Sequence, residues 1–75
     1  MKLPARIEAK ADVMMGKPCI KGTRIPVYLL LQKMAGGEDA GHLLAAYPQL
    51  TKEDLQACLE YAAAIATEEV ILAGA

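Results

Sequence analysis

The sequence predicts a mainly α-helical domain of three helices behind a short N-terminal β arm. Three observations lead there. Fourteen Ala and ten Leu dominate a 75-residue chain that has no Phe or Trp and only three Tyr, a mixture rich in strong helix formers. Leu50-Thr51-Lys52-Glu53-Asp54-Leu55 carries a complete helix-start signal. Before it, Tyr47-Pro48-Gln49 reads as a tight turn, because Pro48 disfavours helical geometry at the preceding residue. Helix, short turn, helix is therefore the unit around which the chain is organised.

A chain of this length forms one domain, spanning residues 1–75, and buries only roughly 60% of its unfolded surface. Its apolar fraction is nevertheless 55%, so more apolar surface is present than one copy can hide, and a homodimer or a permanent partner is expected. Charge is split between the halves. Residues 1–33 carry seven basic groups against Glu8 and Asp12, and residues 34–75 carry Lys52 against seven acids. That asymmetry fits a basic arm that meets nucleic acid, or opposite halves that meet across a dimer. No apolar run approaches a membrane span and nothing resembles a signal peptide. Cys19 and Cys58 lack paired spacing and read as reduced thiols of a cytoplasmic protein.

The arm occupies residues 1–25, with strand-like pieces around Ala5–Ala9 and Lys17–Ile20. Between them Val13-Met14-Met15-Gly16-Lys17-Pro18 reads as a turn, Gly16 being free to take positive φ. Pro18 has no amide to donate, which places its strand at an edge.

Residues 26–75 form the helical part. Pro26 suits the first position of helix one, in which Val27, Leu30, Leu31 and Met34 recur at amphipathic spacing. Gly36-Gly37 stops it, with Gly37 as the left-handed residue. Asp39 is the expected N-cap of helix two, which runs to about Ala46 with Leu43, Leu44 and Tyr47 facing inward; Gly41 weakens it by about 1 kcal/mol.

Helix three follows Thr51, whose hydroxyl caps the first turn. Asp54 closes the capping box from the other side, and Leu50 and Leu55 form a hydrophobic staple. Glu53 and Asp54 suit the positive end of the helix dipole. The helix is expected to continue to Ala73. Leu55, Leu59, Ala62 and Ala66 form one stripe; Cys58, Ile65 and Leu72 form a second at heptad spacing. Tyr61–Ala66 is apolar all round, which predicts burial on more than one side. Cys58, Tyr61, Ala62, Ile65 and Leu72 are the expected dimer or partner interface.

Gly16-Lys17-Pro18-Cys19-Ile20-Lys21-Gly22-Thr23-Arg24-Ile25-Pro26-Val27 resembles the signature of the bacterial and archaeal family called domain of unknown function 433. The likeness continues through Gly37, Asp39, Tyr47-Pro48-Gln49-Leu50-Thr51, Glu53-Asp54 and Tyr61-Ala62-Ala63, covering roughly residues 5 to 66. Lys10-Ala11 stands where the family has Asp-Pro, and Gly41-His42 where it favours acidic helix formers. The resemblance implies a homeodomain-like helix-turn-helix and an antitoxin role opposite a PIN-like RNase toxin.

Candidate contact residues follow. Lys17, Lys21 and Arg24 can hold phosphates without reading bases; equally, Arg24 can pair with a helix carboxylate while the lysines solvate a loop. In a helix-turn-helix the third helix reads bases from its N-terminal turns. Its exposed residues there are Lys52, Glu53, Gln56 and Glu60, with Gln49 in the preceding turn. Gln56 suits adenine, and Lys52 suits guanine or phosphate. The neighbouring carboxylates oppose a polyanion, so a protein–protein module without a nucleic-acid role is the competing reading. His42, Cys19 and Cys58 share no metal-site spacing. Neither a catalytic pair nor a cofactor motif is visible, so no enzyme, small-molecule substrate or cofactor is expected.

Overall fold

A computed structural model describes residues 3–67 of the chain. It contains two short strands, β1 (Ile7–Glu8) and β2 (Cys19–Ile20), and three helices, α1 (Val27–Ala35), α2 (Ala40–Ala46) and α3 (Lys52–Ala66). The strands pair antiparallel, with Ile7 opposite Ile20 and Glu8 opposite Cys19. Both isoleucines point into the core, where they join Ile25, Val27, Leu30, Leu43, Leu50, Leu55, Ala57 and Cys58. The arm is thus one wall of the domain, closing over the helices.

The turn between the strands differs from expectation. Gly16 takes φ +83, but Met14 and Met15 are left-handed too, at φ +50 and +57. Gly16 N donates to Val13 O and Lys17 N to Met14 O, which closes one left-handed turn. The carbonyl of Lys10 accepts from Val13 N at 3.0 Å, so a turn forms at Lys10-Ala11 without the usual proline.

Pro26 serves as the N-cap of α1 rather than its first helical residue, with an extended ψ of 142, so the helix starts one residue later than expected. The reason is tertiary. Pro26 bridges Cys19, and Val27 N donates to Pro18 O at 2.9 Å. The arm's own backbone satisfies a first-turn amide that no side chain caps. At the other end Glu38 N reaches Lys33 O and Gly37 N reaches Met34 O. These bonds, with Gly37 at φ +100, make a Schellman motif.

In α2 the Asp39 carboxylate accepts from His42 N at 2.8 Å; Leu43 is fully buried, and Leu44 and Tyr47 pack against the core. Tyr47 leaves helical geometry and Leu50 N donates back to Tyr47 O, forming the turn into α3. There the capping box is complete. Thr51 Oγ1 accepts from Asp54 N at 3.2 Å, and Thr51 N donates to Asp54 Oδ2 at 2.9 Å. Leu50 and Leu55 are both buried, as a staple requires.

The stripe through Leu55, Leu59, Ala62 and Ala66 is not the core face of α3. Leu59 is 54% exposed, because the buried side centres on Asp54, Leu55, Cys58 and Tyr61, and Leu59 lies about 100° around the helix from Cys58. Continuation of α3 to Ala73, and with it Leu72, falls outside the described residues. No described helix is long and apolar enough to cross a membrane.

Candidate interaction surface

Two surfaces carry the exposed chemistry. The first surrounds the N-terminus of α3. Arg6, in the arm, donates from Nη1 to Asp54 Oδ1 at 3.1 Å and lies 3.5 Å from Thr51 Oγ1. The Arg6 carbonyl accepts from Lys21 N at 2.8 Å, so one residue ties β2, the arm and the helix start together. Both Asp54 oxygens are therefore engaged, one by the capped backbone and one by the guanidinium. Pro4, Ala5 and Arg6 run beside α3 and form a cleft with Glu53, Gln56, Ala57 and Glu60. Gln56 is exposed, as expected, and sits between Glu53 and Glu60 with the arm alongside. Lys52 and Gln49 are exposed at the helix start and in the turn.

The second surface is an apolar groove of about 320 Å³ between α1 and α3. Val27, Tyr28, Leu31, Tyr61 and Ile65 line it, with Lys17 and Pro18 from the arm. It exists because α3 is longer than the body it packs on. Cys58, Tyr61 and Ile65 follow one helix face; Cys58 is fully buried, Tyr61 half-buried and Ile65 45% exposed. The core-facing stripe thus runs out past its partners. Tyr28 is 44% exposed, and the Lys17 ammonium lies 5.6 Å from its ring centroid, within cation–π range.

Lys17 and Arg24, read from the sequence as members of one basic cluster, line different surfaces. Lys17 borders the α1/α3 groove, whereas Arg24 lines a separate hollow of about 340 Å³ with Glu8, Lys10, Val13, Cys19, Gly22 and Thr23. In that hollow Glu8 Oε1 accepts from Gly22 N at 3.3 Å and pairs with Lys10 at 3.6 Å. Arg24 has no ion pair among the described residues; the arm-to-helix pair belongs to Arg6. Lys17, Lys21 and Lys52 likewise have none there.

The interface set is partly redistributed. Tyr61 and Ile65 line the groove and Ala62 is half-buried. Cys58 is 0% exposed and belongs to the chain's own core, because Asp54 and Cys58 share the side of α3 that faces the domain. Burial, reinforced by the Asp54 charge, pushes its thiol up to about 11. Burial and then Glu8 raise Cys19 as well, against a smaller opposing pull from Arg24. Both thiols are free and buried, conditions that make cysteine inert. His42 meets Glu38 at 3.1 Å on the surface. Among the described residues no group of three His, Cys, Asp or Glu is placed to hold a metal.

Arg6 and Tyr28 escaped sequence reasoning. Arg6 is 48 residues from Asp54, so no local spacing links them. Tyr28 is adjacent to the core stripe of α1 rather than on it; only its i+3 relation to Leu31 hints at a shared outer face.

Comparison with known proteins agrees with this architecture. A crystal structure of a DUF433 member protein from Anabaena variabilis is 41% identical and superposes with a TM-score of 0.72, covering 75% of this chain and 55% of that one. The uncharacterized protein y4eO of Sinorhizobium fredii is 33% identical over 58 residues, 77% of this chain; the chain spans about a quarter (26%) of that relative's length. Residues 7–62 match the family described as protein of unknown function (DUF433), and the chain belongs to that family.

Proposed function

We propose that this chain is a non-enzymatic, antitoxin-like regulator that neutralises a PIN-like RNase toxin in the cytoplasm by direct protein contact. The observation that carries this reading is the open apolar groove between α1 and α3, where Tyr28 and Ile65 remain 44% and 45% exposed. An apolar patch rimmed by polar groups marks an interaction site. The resemblance in the Gly16–Val27 signature supplies the toxin–antitoxin context. Leu59, with Ala63 and Ala66, forms a second exposed apolar strip on α3, and self-pairing of two copies is assigned there.

Co-expression with the product of the adjacent open reading frame tests the proposal. A PIN-like neighbour that co-purifies with the chain, and whose RNase activity falls in the complex, is the expected result. A neighbour of another kind, or no complex, refutes it.

DNA binding is the second reading, favoured by the exposed Lys17, Lys21, Arg24 and Lys52, which have no ion pair among the described residues. Against it stand Glu53 and Glu60 beside Gln56, and an arm lying along the face that would enter a groove. Phosphate contacts release counterions, so log K falls with log salt; a flat salt dependence in gel shifts with the flanking promoter DNA removes this reading.

A further inference from the structure

We propose that Met15 is a reversible oxidation site: a peroxide converts its thioether to the sulfoxide before it reaches the methionines and thiols packed in the fold, and a thiol-dependent sulfoxide reductase restores it. The inference is independent of the partner reading above.

The described residues include three methionines, Met14, Met15 and Met34. Met15 is 93% exposed, the most open of the large apolar side chains. Met14 and Met34 are half-buried, and Met34 packs against the core. Cys19 and Cys58 are both buried. Burial raises both thiols, so neither supplies the reactive thiolate at neutral pH. Susceptibility to oxidation follows exposure and thiolate character, which ranks Met15 first.

The backbone explains why the fold tolerates the change. Met15 sits in the left-handed turn at φ +57. Gly16 N donates to Val13 O at 3.0 Å and Lys17 N to Met14 O at 3.1 Å. Both bonds are between backbone groups, so an oxygen added to the Met15 sulfur breaks neither. Left-handed geometry disfavours any side chain, and this one is solvated rather than packed. The fold gains nothing from a thioether at the tip of the turn, and a strained residue of this kind points to a role outside the fold. At Met34 the same oxygen would set a polar group against the core, where sulfoxidation disrupts packing.

The chemistry balances with two named co-reactants. A sulfur lone pair of Met15 takes the terminal oxygen of a hydroperoxide, the O–O bond breaks, and the leaving alkoxide or hydroxide is protonated. The sulfur is oxidised by two electrons. In the reverse step a dithiol supplies two electrons and two protons, the oxygen leaves as water, and a disulfide forms on the reductase. A reductase must take the side chain into its own active site, and an exposed turn tip offers it without unfolding.

The test exposes the full chain to a small excess of hydrogen peroxide and follows each methionine by tandem mass spectrometry. Met15 should gain one oxygen several-fold faster than Met14 or Met34. Chain oxidised only at Met15 should melt as wild type by circular dichroism and keep both thiols reduced. Peptide methionine sulfoxide reductases of both epimer specificities, with dithiothreitol, should then remove the oxygen from the folded chain. Met15→Leu should lack the early uptake while Met14 and Met34 keep their own rates. Uptake at Met14 or Met34 as fast as at Met15 overturns the inference. So does a lowered melting temperature after oxidation at Met15 alone, or a sulfoxide that the reductases repair only when denaturant is added.

Discussion

Replacing Asp54 by Ala should cost about 2 kcal/mol, more than any other single polar change on this surface. The magnitude comes from three contacts. Losing one half of a capping interaction costs about 1 kcal/mol, and here Thr51 N is left without its 2.9 Å acceptor. Removing a first-turn carboxylate from the positive end of α3 forfeits about 0.3–1 kcal/mol. The Arg6 pair at 3.1 Å is solvent-screened, since the arginine side chain is 50% exposed, and such pairs contribute roughly 0–1 kcal/mol. Arg6→Ala should therefore cost well under half of what Asp54→Ala costs. In the double-mutant cycle the coupling between the two should stay below about 1 kcal/mol. Urea denaturation followed by circular dichroism at the helical band measures all three. In thermal melts, at about 4–8 °C per kcal/mol for a domain this small, Asp54→Ala should lower Tm by roughly 8–16 °C. An Asp54→Ala variant within about 0.5 kcal/mol of wild type would falsify the capping argument. Equal losses for Arg6→Ala and Asp54→Ala would instead make arm anchoring, not capping, the dominant role of this carboxylate.

Other changes test other parts of the molecule. Met15, 93% exposed at φ +57, buries nothing in return for its strain. Left-handed geometry costs a non-glycine residue roughly 1–2 kcal/mol and glycine's added unfolded-state freedom offsets roughly 0.4–1. Met15→Gly should accordingly stabilise by up to about 1 kcal/mol in urea, and a loss of stability there contradicts the left-handed turn. Cys58 titrates higher in the folded chain, at about 11, than its ordinary value of 9.0. Between those pH values the unfolded state has already released the proton and the folded state retains it, so stability is intact below pH 9 and falls as pH rises towards 11. The loss is roughly 2–3 kcal/mol, and a Cys58→Ala variant should lack that share of the alkaline decline. At neutral pH neither Cys19 nor Cys58 should react with a thiol reagent until denaturant is added, and immediate labelling of either contradicts its burial.

The sequence alone determined the features whose causes lie within a few residues of each other. Thr51 and Asp54 cap α3 over a span of three residues, Asp39 caps α2 in the same way, and Gly37 supplies the left-handed stop of α1 without reference to the rest of the fold. Strand pairing in the arm was legible only as two short pieces, because nothing local fixes Ile7 opposite Ile20. Tertiary structure decided everything that depends on which elements meet. It brought Arg6 to Asp54 across 48 residues and started α1 one residue late by bridging Pro26 to Cys19. It sent Cys58 inward, left Leu59 outside, and parted Lys17 from Arg24. Helical periodicity fixes the angles between side chains on α3 but not which direction faces the core. That direction, and the point where the core ends and Ile65 emerges, is set by where the arm and α1 come to rest.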